Sequence, residues 1–182
     1  ILSHTKQKKL SYQEEMDYLV SNDARNMFIV NLVRSLKGNT LCLFQYVEKH
    51  GAKLFDIMSN TDMGGNLHYV YGGTDTEDRE AVREIVENNK DDTILASYGT
   101  FSTGVNIKRI DNIVFASPSK SKIRNLQSIG RGLRKVEGKS KMRLFDIADD
   151  LQYDNYTLGH LKDRINIYNE EEFNYQIDKV KL

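Results

Sequence analysis

The chain has 182 residues, 26 Lys plus Arg against 26 Asp plus Glu, one Cys, one Pro and no Trp. That length buries roughly two-thirds of the unfolded surface, so one domain can hold a core without disulfides. The lone cysteine and the scattered histidines exclude an internal bridge and a structural zinc site, and they suit a reducing, cytoplasmic setting.

In chain order, residues 1–10 are polar and basic, unlike a secretory signal. The chain does not begin with Met and reads as a piece of something longer. Residues 11–37 carry Met27, Phe28, Val30, Leu32, Val33 and Leu36 in helical spacing, and Gly38 closes this lead-in as a C-terminal cap. Apolar, β-favouring runs then fall at 40–46, 66–71, 93–97, 112–116 and 142–147, predicting five strands. Helical patterns fill the intervals at 47–58, 76–89, 122–133 and 155–172, with turns at 63–66 and 137–140. Thr74 and Glu77 form a capping-box pattern before the second of these helices. Alternating strands and helices predict an α/β fold, a mostly parallel sheet sandwiched by helices, with ligands beyond the carboxyl ends of the strands. We expect a lead-in over 1–38, a core over 39–150 and a helical extension over 151–182. No apolar run approaches 18 residues, so no membrane-spanning helix is expected.

Zero net charge conceals an asymmetry. Residues 119–143 carry nine basic residues and one acid, whereas residues 144–182 carry nine acids and four bases. The basic stretch is a candidate anion site or a solvated helix face. Within it, Gln127, Arg131 and Arg134 fall in roughly a 60° arc of a helix, while Leu126, Ile129 and Leu133 occupy an arc on the order of 130° away. One face packs and the other presents guanidinium forks, which hold phosphate oxygens through paired hydrogen bonds. Gly130 and Gly132 weaken the helix but admit close approach to its backbone. No phosphate-binding P-loop is present: Gly138-Lys139-Ser140 follows Leu133 where a glycine is required, and Gly99 and Gly104 are followed by Val105 and Asn106. Nor does a strand end in the acidic box that ATP hydrolysis needs, so this chain is not expected to hydrolyse ATP alone.

The run Gln127-Ser128-Ile129-Gly130-Arg131-Gly132-Leu133-Arg134 resembles motif VI of the superfamily 2 helicases, and residues 96–106 resemble their motif V. Residues 41–46 sit where motif IV would be, and Tyr71-Gly72-Gly73 resembles the segment between motifs IV and V. The resemblance implies a RecA-like, P-loop-NTPase-like helicase C-terminal domain that lacks its own P-loop. Arg131 and Arg134 would act as arginine fingers on the γ-phosphate of ATP, with Gln127 ordering that interface. ATP and Mg²⁺ would be held mainly by the missing N-terminal lobe of the same protein. Gly104 and Asn106 match positions that meet the nucleotide edge, although Asn106 stands where Asp is common in RNA helicases of the superfamily. Phe44, Gln45, Gly72, Ser97, Thr100 and Ser102 are the expected nucleic-acid contacts.

The residues support motif V without the family: a strand at 93–97 runs into hydroxyls at Ser97, Tyr98, Thr100, Ser102 and Thr103, with glycines at 99 and 104. Short donors and bare backbone can grip phosphates. Phe44 could stack on a base or fill the core. The resulting expectation is the second motor lobe of an ATP-dependent DNA helicase or translocase acting on branched or single-stranded DNA. Two other readings stay open: a non-hydrolysing nucleic-acid-binding module and a nucleotide-sugar transferase lobe.

Overall fold

The computed structural model describes residues 1–102, 109–117 and 142–182, with the side chains of residues 101 and 102 excepted. Among them the five expected strands form one parallel sheet: β2 (Thr40–Phe44), β3 (Leu67–Val70), β4 (Thr93–Ser97), β5 (Asn112–Phe115) and β6 (Arg143–Asp146). Their order is β3-β4-β2-β5-β6, so β2 is central, with Thr40 opposite both Thr93 and Asn112. All five residues of β2 are buried because both faces of the sheet are covered. Strand alternation divides them: Cys42 and Phe44 enter one core cluster, Leu41 and Leu43 the other.

The first cluster is closed by α2 (Asp23–Ser35) and α3 (Ala52–Ser59), which bring Ile29, Val30, Val33, Leu54 and Met58 against Leu95, Val114 and Ala116. The second is closed by α4 (Thr76–Asn88) and α6 (Tyr156–Glu170), through Val86, Ile165 and Tyr168. Tyr168 and Phe173 thus pack the acidic tail onto the sheet.

Several elements differ from the sequence reading. The lead-in is two helices, α1 (Tyr12–Ser21) and α2, because the Asn22 side chain accepts from the Arg25 N–H at 2.9 Å and starts a new helix. Gly38 does not cap α2, which ends at Ser35 with Leu36 as an extended C-cap; Gly38, two residues on, is left-handed with φ +89°. The segment over 47–58 opens as a π-helical turn, Val47–Gly51, before α3. The capping box at Thr74 does not form: its hydroxyl accepts the Tyr71 N–H at 3.1 Å, and Asp75 takes the N-cap position. A short helix, α5 (Tyr98–Ser102), follows β4 where a loop was expected. The helix expected over 122–133 and the turn at 137–140 lie outside the described residues.

A second, three-stranded parallel sheet was not foreseen. β1 (Leu2–Ser3) lies between β7 (Asp149–Asp150) and β8 (Val180–Lys181). Beneath it, Arg25 donates from Nε and Nη2 to the two oxygens of Asp149, at 2.8 and 3.0 Å, and His4 Nε2 lies 2.9 Å from the same carboxylate. Burial alone would raise the Asp149 pKa, but the Arg25 charge and the hydrogen bonds from His4 and Arg25 outweigh it and hold this carboxyl below the usual range. Glu15, fully buried on α1, accepts from the Tyr156 and Thr157 N–H groups at 3.0 and 2.7 Å and so caps α6.

Candidate functional site

The carboxyl ends of β2 and β4 meet at Phe44 and Ser97, which are register partners, and β5 ends beside them. This is the edge where a parallel sheet receives ligands. Phe44 is 0% exposed. Its ring lies 5.7 Å from that of Tyr69 and fills the space left by Gly51, where an added Cβ would come within 2.5 Å of it. Of the two readings open for this ring the structure takes the second, so Phe44 is core and is not carried forward as a nucleic-acid contact.

Gln45, the next residue, is held through its backbone. Its N–H donates to Ser117 Oγ at 2.8 Å, and Ser117 Oγ lies 2.8 Å from His50 Nδ1. His50 Nε2 in turn lies 3.1 Å from Asn26 Oδ1. The proton positions follow from the last link. Asn26 Nδ2 donates to the Val20 carbonyl at 2.9 Å, so its Oδ1 faces the imidazole and His50 Nε2 carries the hydrogen. In a neutral ring Nδ1 is then the acceptor, and Ser117 donates to it while accepting from Gln45. This buried relay ties the lead-in helix α2 to the ligand edge. It joins residues 24 and 67 positions apart, and no spacing in the sequence announces it.

Ser97 and Thr100 are also buried, and their hydroxyls bond each other at 2.8 Å. As placed, they brace the β4–α5 junction instead of projecting to an outside phosphate. Ser102 lies in α5. Gly72 stands at the tip of a turn pinned by the Thr74 N–H to the Tyr71 carbonyl at 2.9 Å, and nothing lies within 4 Å of where its Cβ would be. A polymer backbone can approach it closely. Gly104, Asn106, Gln127, Arg131 and Arg134 lie outside the described residues.

At the far end of the same edge, Asp146 closes β6. Its Oδ2 accepts from Arg164 Nε at 2.5 Å and from the Tyr168 hydroxyl at 2.6 Å, both on α6. Burial and the neighbouring Asp146 charge push the Tyr168 phenol far above its ordinary range, so it remains a donor. The α6 helix is thereby fastened to the strand that follows the motif VI-like segment. Among the described residues no group of three His, Cys, Asp or Glu side chains is arranged to hold a metal ion, and no helix is long and apolar enough to cross a membrane.

The chain belongs to the helicase conserved C-terminal domain family, whose model matches residues 24–136. Among individual proteins it is similar to the ATP-dependent DNA helicase uvsW of Enterobacteria phage T4, with 37% identity over 194 residues, 98% of this chain and 38% of that one. The putative ATP-dependent helicase IRC3 of Saccharomyces cerevisiae is 28% identical over 147 residues, which cover 71% of this chain and 21% of its own. The chain therefore spans about two-fifths or less of these relatives. Among solved structures, T4 UvsW matches with a TM-score of 0.79 at 34% identity over 99% of this chain and 41% of that one. The C-terminal domain of the DEAD-box protein Dbp5 matches with a TM-score of 0.61 at 10% identity over 99% of this chain and 88% of that one, a likeness of fold alone. The mostly parallel, helix-flanked sheet is the RecA-like helicase C-terminal fold.

Proposed function

We propose that this segment is the second motor lobe of an ATP-dependent DNA helicase or translocase that unwinds or branch-migrates branched DNA, in recombination and stalled-fork rescue. The observation that carries the reading is the 37% identity, along almost the whole chain, to a protein named as an ATP-dependent DNA helicase. Its setting is the cytoplasm, that of the host if the protein is phage-encoded.

In this reading Arg131 and Arg134 reach the γ-phosphate of ATP held by an N-terminal lobe outside this chain, with Gln127 ordering the contact and Gly104 and Asn106 at the nucleotide edge. ATP with Mg²⁺ supplies the phosphoryl transfer. The chain's own part is to place two guanidinium groups where charge develops, a contribution of about 10³- to 10⁵-fold in rate for an arginine finger. Gln45, the Gly72 turn and the β4–α5 junction line the face offered to the DNA backbone. Closing and parting of the lobes then moves the strand along.

The test uses the full-length protein. DNA-stimulated ATP turnover is compared for wild type, Arg131→Ala and Arg134→Ala, alongside nucleotide binding. Turnover is expected to fall by about 10³-fold or more while nucleotide affinity changes little. Unchanged turnover in both variants removes the finger role. Absent turnover in the wild type, with DNA binding intact, would favour the non-hydrolysing module.

A further inference from the structure

We propose that the seam between α1 and α6, built around Tyr12 and Tyr156, is an additional stacking platform for single-stranded nucleic acid, outside the helicase motifs. The inference rests on the nucleic-acid-binding part of the function proposed above and names a surface that none of the motif residues accounts for.

Tyr12 opens α1 and Tyr156 opens α6, and the two rings meet edge to face, with centroids 5.8 Å apart and planes at 84°. His160, one turn along α6, adds a third ring 6.0 Å from Tyr12. Tyr12 is 37% exposed and Tyr156 48%, so two large hydrophobic side chains in contact with water stand together. Rings clustered half in water, with polar tips, suit the flat faces of unpaired bases.

The charges beside them fit a polyanion. Lys6, Lys8 and Lys9 are exposed, and none makes an ion pair among the described residues. Their segment is strapped down: the His4 N–H donates to the Asp150 carbonyl at 2.9 Å, the Gln7 N–H to the Leu151 carbonyl at 3.1 Å, and the Leu10 N–H to the Tyr153 hydroxyl at 3.3 Å. The lysine-bearing segment is thus held against residues 150–153, a few positions before Tyr156, and runs directly into Tyr12. The acids nearby decide how a strand would lie. Glu14 closes the N-terminus of α1 in a capping box with Ser11, and Glu15 closes that of α6. Both helix ends are already filled by carboxylates, so phosphates are turned away from them and towards the lysine segment while bases face the rings.

The platform adjoins the ligand edge. Lys49, in the turn that follows β2, pairs through Nζ with Asp17 of α1 at 2.9 Å, which sets α1 beside that edge. Stacking on exposed rings is indifferent to sequence, which suits a machine that must hold any strand it separates.

The experiment measures binding of a fluorescent oligo-dT by anisotropy to the full-length protein and to its Tyr12→Ala, Tyr156→Ala, double Tyr→Phe and Lys6→Ala/Lys9→Ala variants. Each alanine is expected to weaken binding about tenfold, within the range for loss of one stacked base. The double phenylalanine variant keeps the rings and is expected to bind as wild type does, which separates stacking from a loss of fold. The lysine variant is expected to lower the slope of log affinity against log salt by about 1 to 1.5, at ~0.7 per single-strand phosphate contact. Wild-type affinity in both alanine variants overturns the proposal. So does equal weakening in the alanine and phenylalanine variants, which would mark the phenols as packing groups against another lobe. Because Arg131→Ala is read through ATP turnover, the motor reading and this one fail separately.

Discussion

Asp149→Asn is the substitution whose cost the structure specifies most fully. Arg25 and Asp149 side chains are both 0% exposed. Asparagine keeps the volume, but it removes the buried anion and sets an amide N–H₂ against an Arg25 N–H in either orientation, and against His4 as well in one of them. The guanidinium is left charged, buried and facing a donor, a situation that costs about 3–5 kcal/mol when one partner of a buried pair is removed. Against a typical ~5–15 kcal/mol of total stability, that is a large share. With a urea slope of about 2 kcal/mol/M, the unfolding midpoint followed by circular dichroism should drop by about 1.5–2.5 M. Replacing both partners, as Arg25→Met with Asp149→Leu, should cost less than either single change, because no charge is left stranded. The pH dependence has a definite sign. A carboxyl held below its ordinary value stabilises the fold above about pH 4, and that contribution drains away as the pH falls towards its folded-state pKa. The gap between wild type and Asp149→Asn should therefore narrow on acidification. A midpoint shift below about 0.5 M at pH 7, or a gap that widens in acid, would refute the reasoning.

Other perturbations follow from single contacts. Gly51→Ala puts a methyl 2.5–2.8 Å from three atoms of the Phe44 ring, so it should lower the melting temperature by about 2–12 °C, and Phe44→Leu in the same chain should restore part of this. The Cys42 thiol, pushed up to about 12 by burial, should resist alkylation at pH 8 except when the fold opens. Mass spectrometry of the peptide carrying it measures that rate, and labelling as fast as a free thiol would contradict the burial. Glu15→Gln removes the charge that caps α6, and amide exchange at Tyr156 and Thr157 should accelerate about 5- to 30-fold, the equivalent of roughly 1–2 kcal/mol.

How much was legible in the sequence depended on how local each signal was. The five strands and α4 could be read because β-branched runs and apolar spacing are properties of short windows, and the fully buried β2 showed as an unbroken apolar stretch. The break at Asn22 was missed although the residue is a good N-cap, because the apolar spacing carries on across it. The π-helical turn before α3 answers to a ring on another element, Phe44, that Gly51 must admit. Thr74 was assigned to a cap, but a neighbouring backbone N–H claims its hydroxyl. Two-residue strands such as β1 and β7 are too short to show any period. In the candidate site, Gly72 stands in the open, whereas the hydroxyls of Ser97 and Thr100 turn inward. The His50–Ser117–Asn26 relay depended on residues that meet only after the sheet closes.

The capping of α6 by Glu15, 142 residues before Thr157, sets an order of events during synthesis. On a ribosome adding about 5–20 residues per second, the lead-in waits on the order of ten seconds for its partners to emerge. Until then Met16, Leu19, Ile29 and Val30 have no finished core to enter, and the nascent chain presents a greasy amphipathic hairpin to whatever chaperone is at hand. Within this chain, a segment translated before the sheet is thus among the last to be locked in place.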